Sequence, residues 1–127
     1  VPNFVKVLAS SPVAVNAFVD YWSAMYQGQL DASIRVRIAL ALSQANACQY
    51  CVSAHSAIAQ GAGMTEKEIE LARAGAALAA KEDTAVKSAR AILEHRGDVT
   101  DNELKAMHEA GFGDGEIVEI ILLVGMF

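Results

Sequence analysis

Hydrophobic and polar residues follow one another along this chain with the spacing of amphipathic helices. After Ser11, apolar residues fall on one helical face at Val15, Phe18, Val19, Trp22, Met25 and Tyr26. Ser11 followed by Pro12 predicts the start of this helix, because serine caps helices well and proline is favoured at the first helical position. Gly28 predicts its end.

The same spacing predicts helices along most of the remaining chain. One is predicted to start at Asp31 or Ser33, with a buried face made of Ile34, Ile38, Ala41, Leu42 and Ala45. Others are predicted at about 48–61 and 83–96, and the last from near Asp114. That last helix is apolar on most sides, which predicts either a place in the core or a place at an interface.

Two more helix starts carry a capping box. In this motif a threonine side chain caps the helix, and a glutamate three residues later accepts a hydrogen bond from the threonine N–H. These pairs are Thr65 with Glu68 and Thr100 with Glu103, flanked by the apolar staple pairs Met64–Ile69 and Val99–Leu104. No segment shows sustained strand-type alternation or a hairpin turn. The sequence therefore predicts an all-α bundle of six or seven helices, in a single domain spanning residues 1–127.

Composition and charge narrow the classes of function. The chain has 127 residues, 54% of them hydrophobic and 20% charged, which is typical of a globular domain. Its net charge of -5 disfavours nucleic acid as a partner, because phosphate binding needs a basic surface. The apolar stretch 117–127 contains Glu119 and is too short to span a membrane. The start resembles no signal peptide, and we expect natural chain to be missing at both ends.

The stretch ACQYCVSAHSA holds the only two cysteines, Cys48 and Cys51, followed by His55. On a helix that starts near Cys48, all three share one face. A disulfide across so short a loop would stabilise the chain little, which favours a working dithiol in the cytoplasm over a structural staple. Thiolates are favoured near a helix N-terminus, and a histidine four residues on suits a proton acceptor. The spacing therefore supports dithiol redox chemistry.

Other interpretations of these three residues remain open. Two thiolates and an imidazole could bind zinc, although no fourth ligand is evident and His95 and His108 fall in other predicted helices. Buried cysteines with a core histidine are another possibility. A thioredoxin-type domain is disfavoured because the chain lacks the βαβ context of that motif.

The segment RIALALSQANACQYCVSAHSAIAQGAGMTEKEI resembles the signature of the carboxymuconolactone decarboxylase superfamily, in its alkyl hydroperoxidase D-like (AhpD-like) branch. The motif that carries the likeness is Cys-x-x-Cys-x-x-x-His after an Ala/Leu-rich helix. Gly61, Met64 and Thr65 also fit the continuation, and the likeness is good over about residues 30–80. Decarboxylase members lack the cysteine pair, so the resemblance disfavours decarboxylation here.

The resemblance implies an AhpD-like helical bundle that assembles as a homotrimer or hexamer and reduces hydroperoxides. By this likeness, Cys51 attacks the peroxide, Cys48 resolves the intermediate and His55 relays a proton. A dithiol reductant, such as a lipoyl-bearing carrier, would restore the thiols. Neither a metal nor another cofactor is expected.

The chain departs from the family pattern at the proton relay. The family usually has a glutamate twelve residues before the first cysteine, and this chain has Val36 there, between Arg35 and Arg37. Asp31 or Glu119 could supply the carboxylate instead. The two arginines are expected to be solvated or paired at a subunit surface, although one could favour a thiolate if it pointed inward.

This departure leaves two alternatives to a hydroperoxide reductase. One is a disulfide reductase or carrier without peroxidase activity, since the dithiol is intact and only the relay glutamate is missing. The other is a non-catalytic, helical, oligomeric binding protein whose cysteines are vestigial.

Overall fold

A computed structural model describes all 127 residues as eight α-helices with no β-strand. The helices are α1 (Asn3–Leu8), α2 (Pro12–Met25), α3 (Ala32–Ala45), α4 (Gln49–Gly61), α5 (Glu66–Arg73), α6 (Ala80–Glu94), α7 (Asp101–Glu109) and α8 (Asp114–Met126). The all-α prediction is confirmed, with one helix more than the six or seven expected. The additional helix is α1, which is six residues long, has no buried residue and starts after Pro2 without a side-chain cap.

Most predicted helix starts are found at the expected residues, and α6 is the exception. The side chain of Ser11 accepts a hydrogen bond from the Ala14 N–H, and both predicted capping boxes are present. Asp31 is the N-cap residue of α3. Helix α6 starts at Ala80, before the predicted Asp83, whose carboxylate accepts a hydrogen bond from the Ala77 N–H and thereby fixes the preceding turn.

Helix α3 is the central helix of the fold. Nine of its residues are buried, from Ile34 to Ser43 with only Val36 half-buried, so α3 is enclosed on nearly all sides. It packs against α4, α5, α6 and α8. The sequence predicted a single buried face and included Ala45, which is exposed. The prediction of a single buried face was wrong because a helix surrounded by neighbours does not need a polar face. Ala45 is the last residue of α3.

The outer helices α2 and α8 bury only part of their apolar surface. In α8, Ile117, Ile120 and Leu123 are buried, whereas Val118, Ile121 and Leu122 are exposed. Helix α8 therefore belongs to the core on one side and presents apolar surface on the other. In α2, Met25 is the only buried residue. No helix in the structure has both the length and the hydropathy needed to cross a membrane.

Candidate functional site

The two cysteines lie where α3 ends and α4 begins. The chain reverses at Ala47, which has a positive φ of 53°, and the Cys48 N–H then donates to the carbonyl of Ser43 at 3.0 Å. Cys48 is the N-cap residue of α4, and its Sγ accepts a hydrogen bond from the Cys51 N–H at 3.2 Å. This confirms the predicted position at a helix N-terminus, where backbone N–H groups favour a thiolate.

Cys48 and Cys51 form a disulfide in this structure, with their Cα atoms 5.2 Å apart. The backbone therefore already has the geometry of the oxidised state, as the three-residue spacing predicted. The pair can be reduced and reoxidised by two electrons, because only the S–S bond has to break or form.

An apolar cavity of about 460 Å³ opens onto the disulfide. Its wall includes both cysteines and His55, with apolar side chains from three parts of the chain: Phe4, Phe18, Trp22, Met126 and Phe127. No aspartate or glutamate side chain is among the lining residues. We call this space the dithiol cavity.

Aromatic side chains from α1 and α2 form one wall of the dithiol cavity, a feature that the sequence pattern does not predict. Phe4 packs edge-on against Phe18, with ring centroids 5.4 Å apart, and against Tyr50 at 6.3 Å. Tyr50, inside the cysteine motif, thus lines the cavity. The available signal was the concentration of aromatic residues before the motif, whose spacing predicts only a helix face.

His55 is buried on the same helix as the cysteines, with 7% of its surface exposed. Its ring stacks on Trp22 at 6.5 Å and meets the edge of Phe127 at 5.2 Å. Burial lowers the pKa of His55 below its usual 6.5, because the charged form loses its hydration. The imidazole is therefore neutral at neutral pH and can accept a proton, as a relay group must.

An NMR titration of the His55 ring is expected to show an inflection below pH 6.5. The unfolded chain then binds this proton more readily than the folded one. Acidification from about 6.5 down to the pKa of the folded state therefore lowers the free energy of unfolding through this group. An inflection at or above 6.5 would show that a nearby negative charge outweighs burial.

The two carboxylates that the sequence offered as replacements for the relay glutamate do not line the dithiol cavity. Glu119 instead accepts hydrogen bonds from the Gln29 N–H at 2.8 and 3.1 Å, so it ties α8 to the turn before α3. A Cβ atom at Gly28 would overlap the Glu119 carboxylate, which explains a glycine there. Asp31 is exposed at the start of α3.

Replacing Glu119 with alanine is expected to destabilise the fold without affecting the dithiol. The Gln29 N–H loses a charged acceptor, which should lower the free energy of unfolding by about 2 kcal/mol. Denaturant unfolding measures this loss, and thiol alkylation of the reduced protein at neutral pH measures the dithiol. Glu109→Ala, which removes a carboxylate 67% exposed, is the control. A changed alkylation rate in folded Glu119→Ala would instead connect Glu119 to the cysteines.

Arg35 and Arg37 are both buried, at 8% exposed, so the expectation of solvated or surface-paired arginines was wrong. Arg37 donates to Ser33 Oγ at 2.6 Å and forms ion pairs with Glu82 at 3.3 Å and Glu68 at 3.7 Å. These contacts join α3 to α5 and α6. Neither arginine lines the dithiol cavity.

A second cavity, of about 430 Å³, also has His55 in its wall. Its wall includes His55, Arg35, Arg37 and Val36, the residue at the family's glutamate position. His55 and Ile58 line both cavities. His55 thus borders both an apolar space at the disulfide and a space that contains charged groups. We call the latter the arginine cavity.

Metal ligands are not clustered in this fold. No group of three or more histidine, cysteine, aspartate or glutamate side chains has an arrangement that could hold a metal ion. His95 lies 3.8 Å from Glu103, and His108 lies 3.0 Å from Asp114.

The sequence profile of the carboxymuconolactone decarboxylase family matches residues 12–95, which include α2 to α6 and the cysteine motif. The chain belongs to this family. A comparison with curated proteins finds no match.

This family member is similar to solved structures over almost its whole length. An uncharacterised peroxidase-related protein from Silicibacter sp. TM1040 has a TM-score of 0.88 at 25% identity, over 98% of this chain and 68% of that chain. An alkylhydroperoxidase AhpD core, an uncharacterised peroxidase-related protein from Ralstonia eutropha JMP134, has a TM-score of 0.87 at 27% identity. The match covers 99% of this chain and 69% of that chain.

A third structure supports the fold alone. This protein of unknown function from Agrobacterium tumefaciens is 24% identical, with a TM-score of 0.78 over 98% of this chain and 86% of that chain. The three structures agree that the family member has an AhpD-like helical fold, as the sequence motif predicted.

Proposed function

We propose that this protein is a thiol-dependent hydroperoxide reductase that uses a Cys48–Cys51 dithiol/disulfide cycle. The observation that carries the proposal is a redox-capable cysteine pair at the N-terminus of α4, open to an apolar cavity beside a buried histidine. The similarity to peroxidase-related proteins supports the same class of activity.

In the proposed cycle, Cys51 as thiolate attacks the outer oxygen of a hydroperoxide after His55 takes its proton. An S–O bond forms and the O–O bond breaks, so that the alcohol leaves with the proton that His55 returns. Cys48 then attacks the sulfenic sulfur, forming the disulfide and releasing water. One hydroperoxide and two thiols thus give one alcohol, one water and the disulfide present in this structure.

The lining of the dithiol cavity favours an organic hydroperoxide over hydrogen peroxide. Four aromatic or thioether side chains, Phe18, Trp22, Met126 and Phe127, can surround an apolar substituent and exclude water. We therefore expect a bulky alkyl hydroperoxide to be consumed faster than hydrogen peroxide.

The reductant that restores the two thiols is proposed to be a dithiol, such as a lipoyl-bearing carrier. A dithiol can attack the disulfide, form a mixed disulfide and then leave as a ring disulfide, without a further cofactor. Such reduction fits a cytoplasmic location, where thiols are kept reduced.

Assembly into a homotrimer or hexamer is proposed from the apolar surface that α2 and α8 leave exposed. Val118 is 54% exposed, Leu122 44% and Val13 78%, and exposed apolar residues on neighbouring helices favour a protein interface. Light scattering that shows only a 13.4 kDa species would contradict this.

A stoichiometric experiment tests the proposed activity. The protein is reduced, freed of reductant and mixed with one equivalent of cumene hydroperoxide, and thiols and peroxide are followed together. We expect both thiols to disappear as one peroxide is consumed.

The alternative activity is disulfide exchange, which is favoured by the absence of a carboxylate from the dithiol cavity. Persistent peroxide, with continued exchange between the protein and a lipoyl dithiol, would establish this alternative. If neither reaction occurs, the cysteines are structural and a non-catalytic binding protein is the better assignment.

A further inference from the structure

Arg35 is a buried cation without a carboxylate partner. Only 8% of its surface is exposed, and no ion pair in the structure includes it. One guanidinium nitrogen donates to the Leu30 carbonyl at 3.2 Å, and the group lies 4.5 Å from the centre of the Tyr26 ring. A guanidinium has five N–H donors, so most of its hydrogen-bonding capacity remains for another acceptor.

The other charged groups around the arginine cavity already have partners. Arg37 lies between Glu68 and Glu82, at 3.7 and 3.3 Å. Glu68, the only carboxylate side chain on the cavity wall, also accepts a hydrogen bond from the Thr65 N–H at 2.8 Å. Arg35 is thus the group in this wall that still lacks an opposite charge, and a buried charge is costly unless it is paired.

The remaining wall of the arginine cavity is largely apolar. Val36, Ala39, Ile58 and Met64 line it, and its volume of about 430 Å³ is within the range of small-molecule sites. A ligand that satisfies both features carries one anionic group and an apolar body. Carboxylate fits a guanidinium well because two of its oxygens can accept parallel N–H bonds.

We propose that the arginine cavity binds an organic carboxylate with a short alkyl chain, held through Arg35. The site is separate from the dithiol cavity and does not depend on the peroxide chemistry proposed above. His55 lines both cavities, so a bound carboxylate would lie in a cavity that shares the imidazole with the dithiol cavity.

Calorimetric titration of the whole protein with octanoate, octanol and inorganic phosphate tests the chemistry of the ligand without any mutation. Octanoate should bind, and the other two should bind at least about tenfold more weakly, because each lacks one of the two features. Equal binding of octanol would overturn the role of the charge. Equal binding of phosphate would overturn the role of the alkyl chain, and no octanoate binding would overturn the site.

Methionine methyl NMR locates the bound ligand, because each cavity has its own methionine. Met64 lines the arginine cavity and Met126 lines the dithiol cavity. Octanoate should shift the Met64 methyl signal and leave that of Met126 nearly unchanged. The reverse pattern would place the ligand at the disulfide and contradict the proposal.

Arg35→Gln should weaken octanoate binding by about tenfold or more, because the charged donor is lost. Arg73→Gln, on α5 and outside the cavity wall, is the matched control and should bind normally. Normal octanoate affinity in folded Arg35→Gln would overturn the proposal. If Arg35→Gln does not fold, the wild-type ligand series and the methyl shifts decide the question.

Discussion

Cys51→Ser is expected to abolish peroxide consumption, whereas Cys48→Ser should retain a single turnover. A serine hydroxyl at position 51 cannot act as the nucleophile near neutral pH, since its proton is held far more tightly than that of a thiol. Without Cys48, the sulfenic acid on Cys51 has no neighbour to condense with and should accumulate. The two variants differ by one atom each and remove opposite halves of the cycle.

Rapid mixing with cumene hydroperoxide, followed by trapping of sulfenic acid with dimedone and mass spectrometry, separates the two variants. The expected adduct is on Cys51 in Cys48→Ser, with none in Cys51→Ser. An adduct on Cys48 in Cys51→Ser would reverse the roles. The structure gives that outcome a physical reason. Cys48 is the N-cap residue and its Sγ accepts a hydrogen bond from the Cys51 N–H, which would favour a thiolate on Cys48.

Leu42→Ala is expected to cost about 3 kcal/mol of the free energy of unfolding, because it leaves a cavity in the core around α3. Leu42 is fully buried in the main hydrophobic cluster, with Ile38 one turn before it. Urea unfolding followed by circular dichroism measures the loss. Leu78→Ala, at a side chain 72% exposed, is the matched control and should change stability by less than about 0.5 kcal/mol.

A small effect of Leu42→Ala would mean that the neighbouring helices close around the deleted side chain. The peroxide assay on the same variant tests whether α3 also positions the cysteines. Helix α3 leads directly into the turn at Ala47 and the N-cap at Cys48, so displacement of α3 should slow thiol oxidation as well.

Local sequence determined most helix starts and the position of the cysteine pair. Ser11, Thr65 and Thr100 cap their helices through their own side chains and the next few N–H groups, so nearby residues are sufficient to predict them. The same holds for Cys48 and Cys51, whose three-residue spacing brings the sulfurs together at the start of α4. Helix α1 was missed because it is only six residues long and no side chain caps its start.

Contacts distant in sequence were decided by the tertiary structure alone. Glu119 and Gln29 are ninety residues apart, and nothing around either one indicates the hydrogen bond between them. The lining of the dithiol cavity likewise combines Phe4 and Phe127, from the two ends of the chain.

The sequence by itself determined the helical class, the capping of the helices and a dithiol beside a histidine, since each depends on residues within one or two turns. Only the tertiary structure decided that Arg35 is buried without a carboxylate, that Arg37 is paired, and that His55 lines two cavities. The physical reason is that charge pairing and burial depend on which helices surround a residue, and α3 is enclosed by four others.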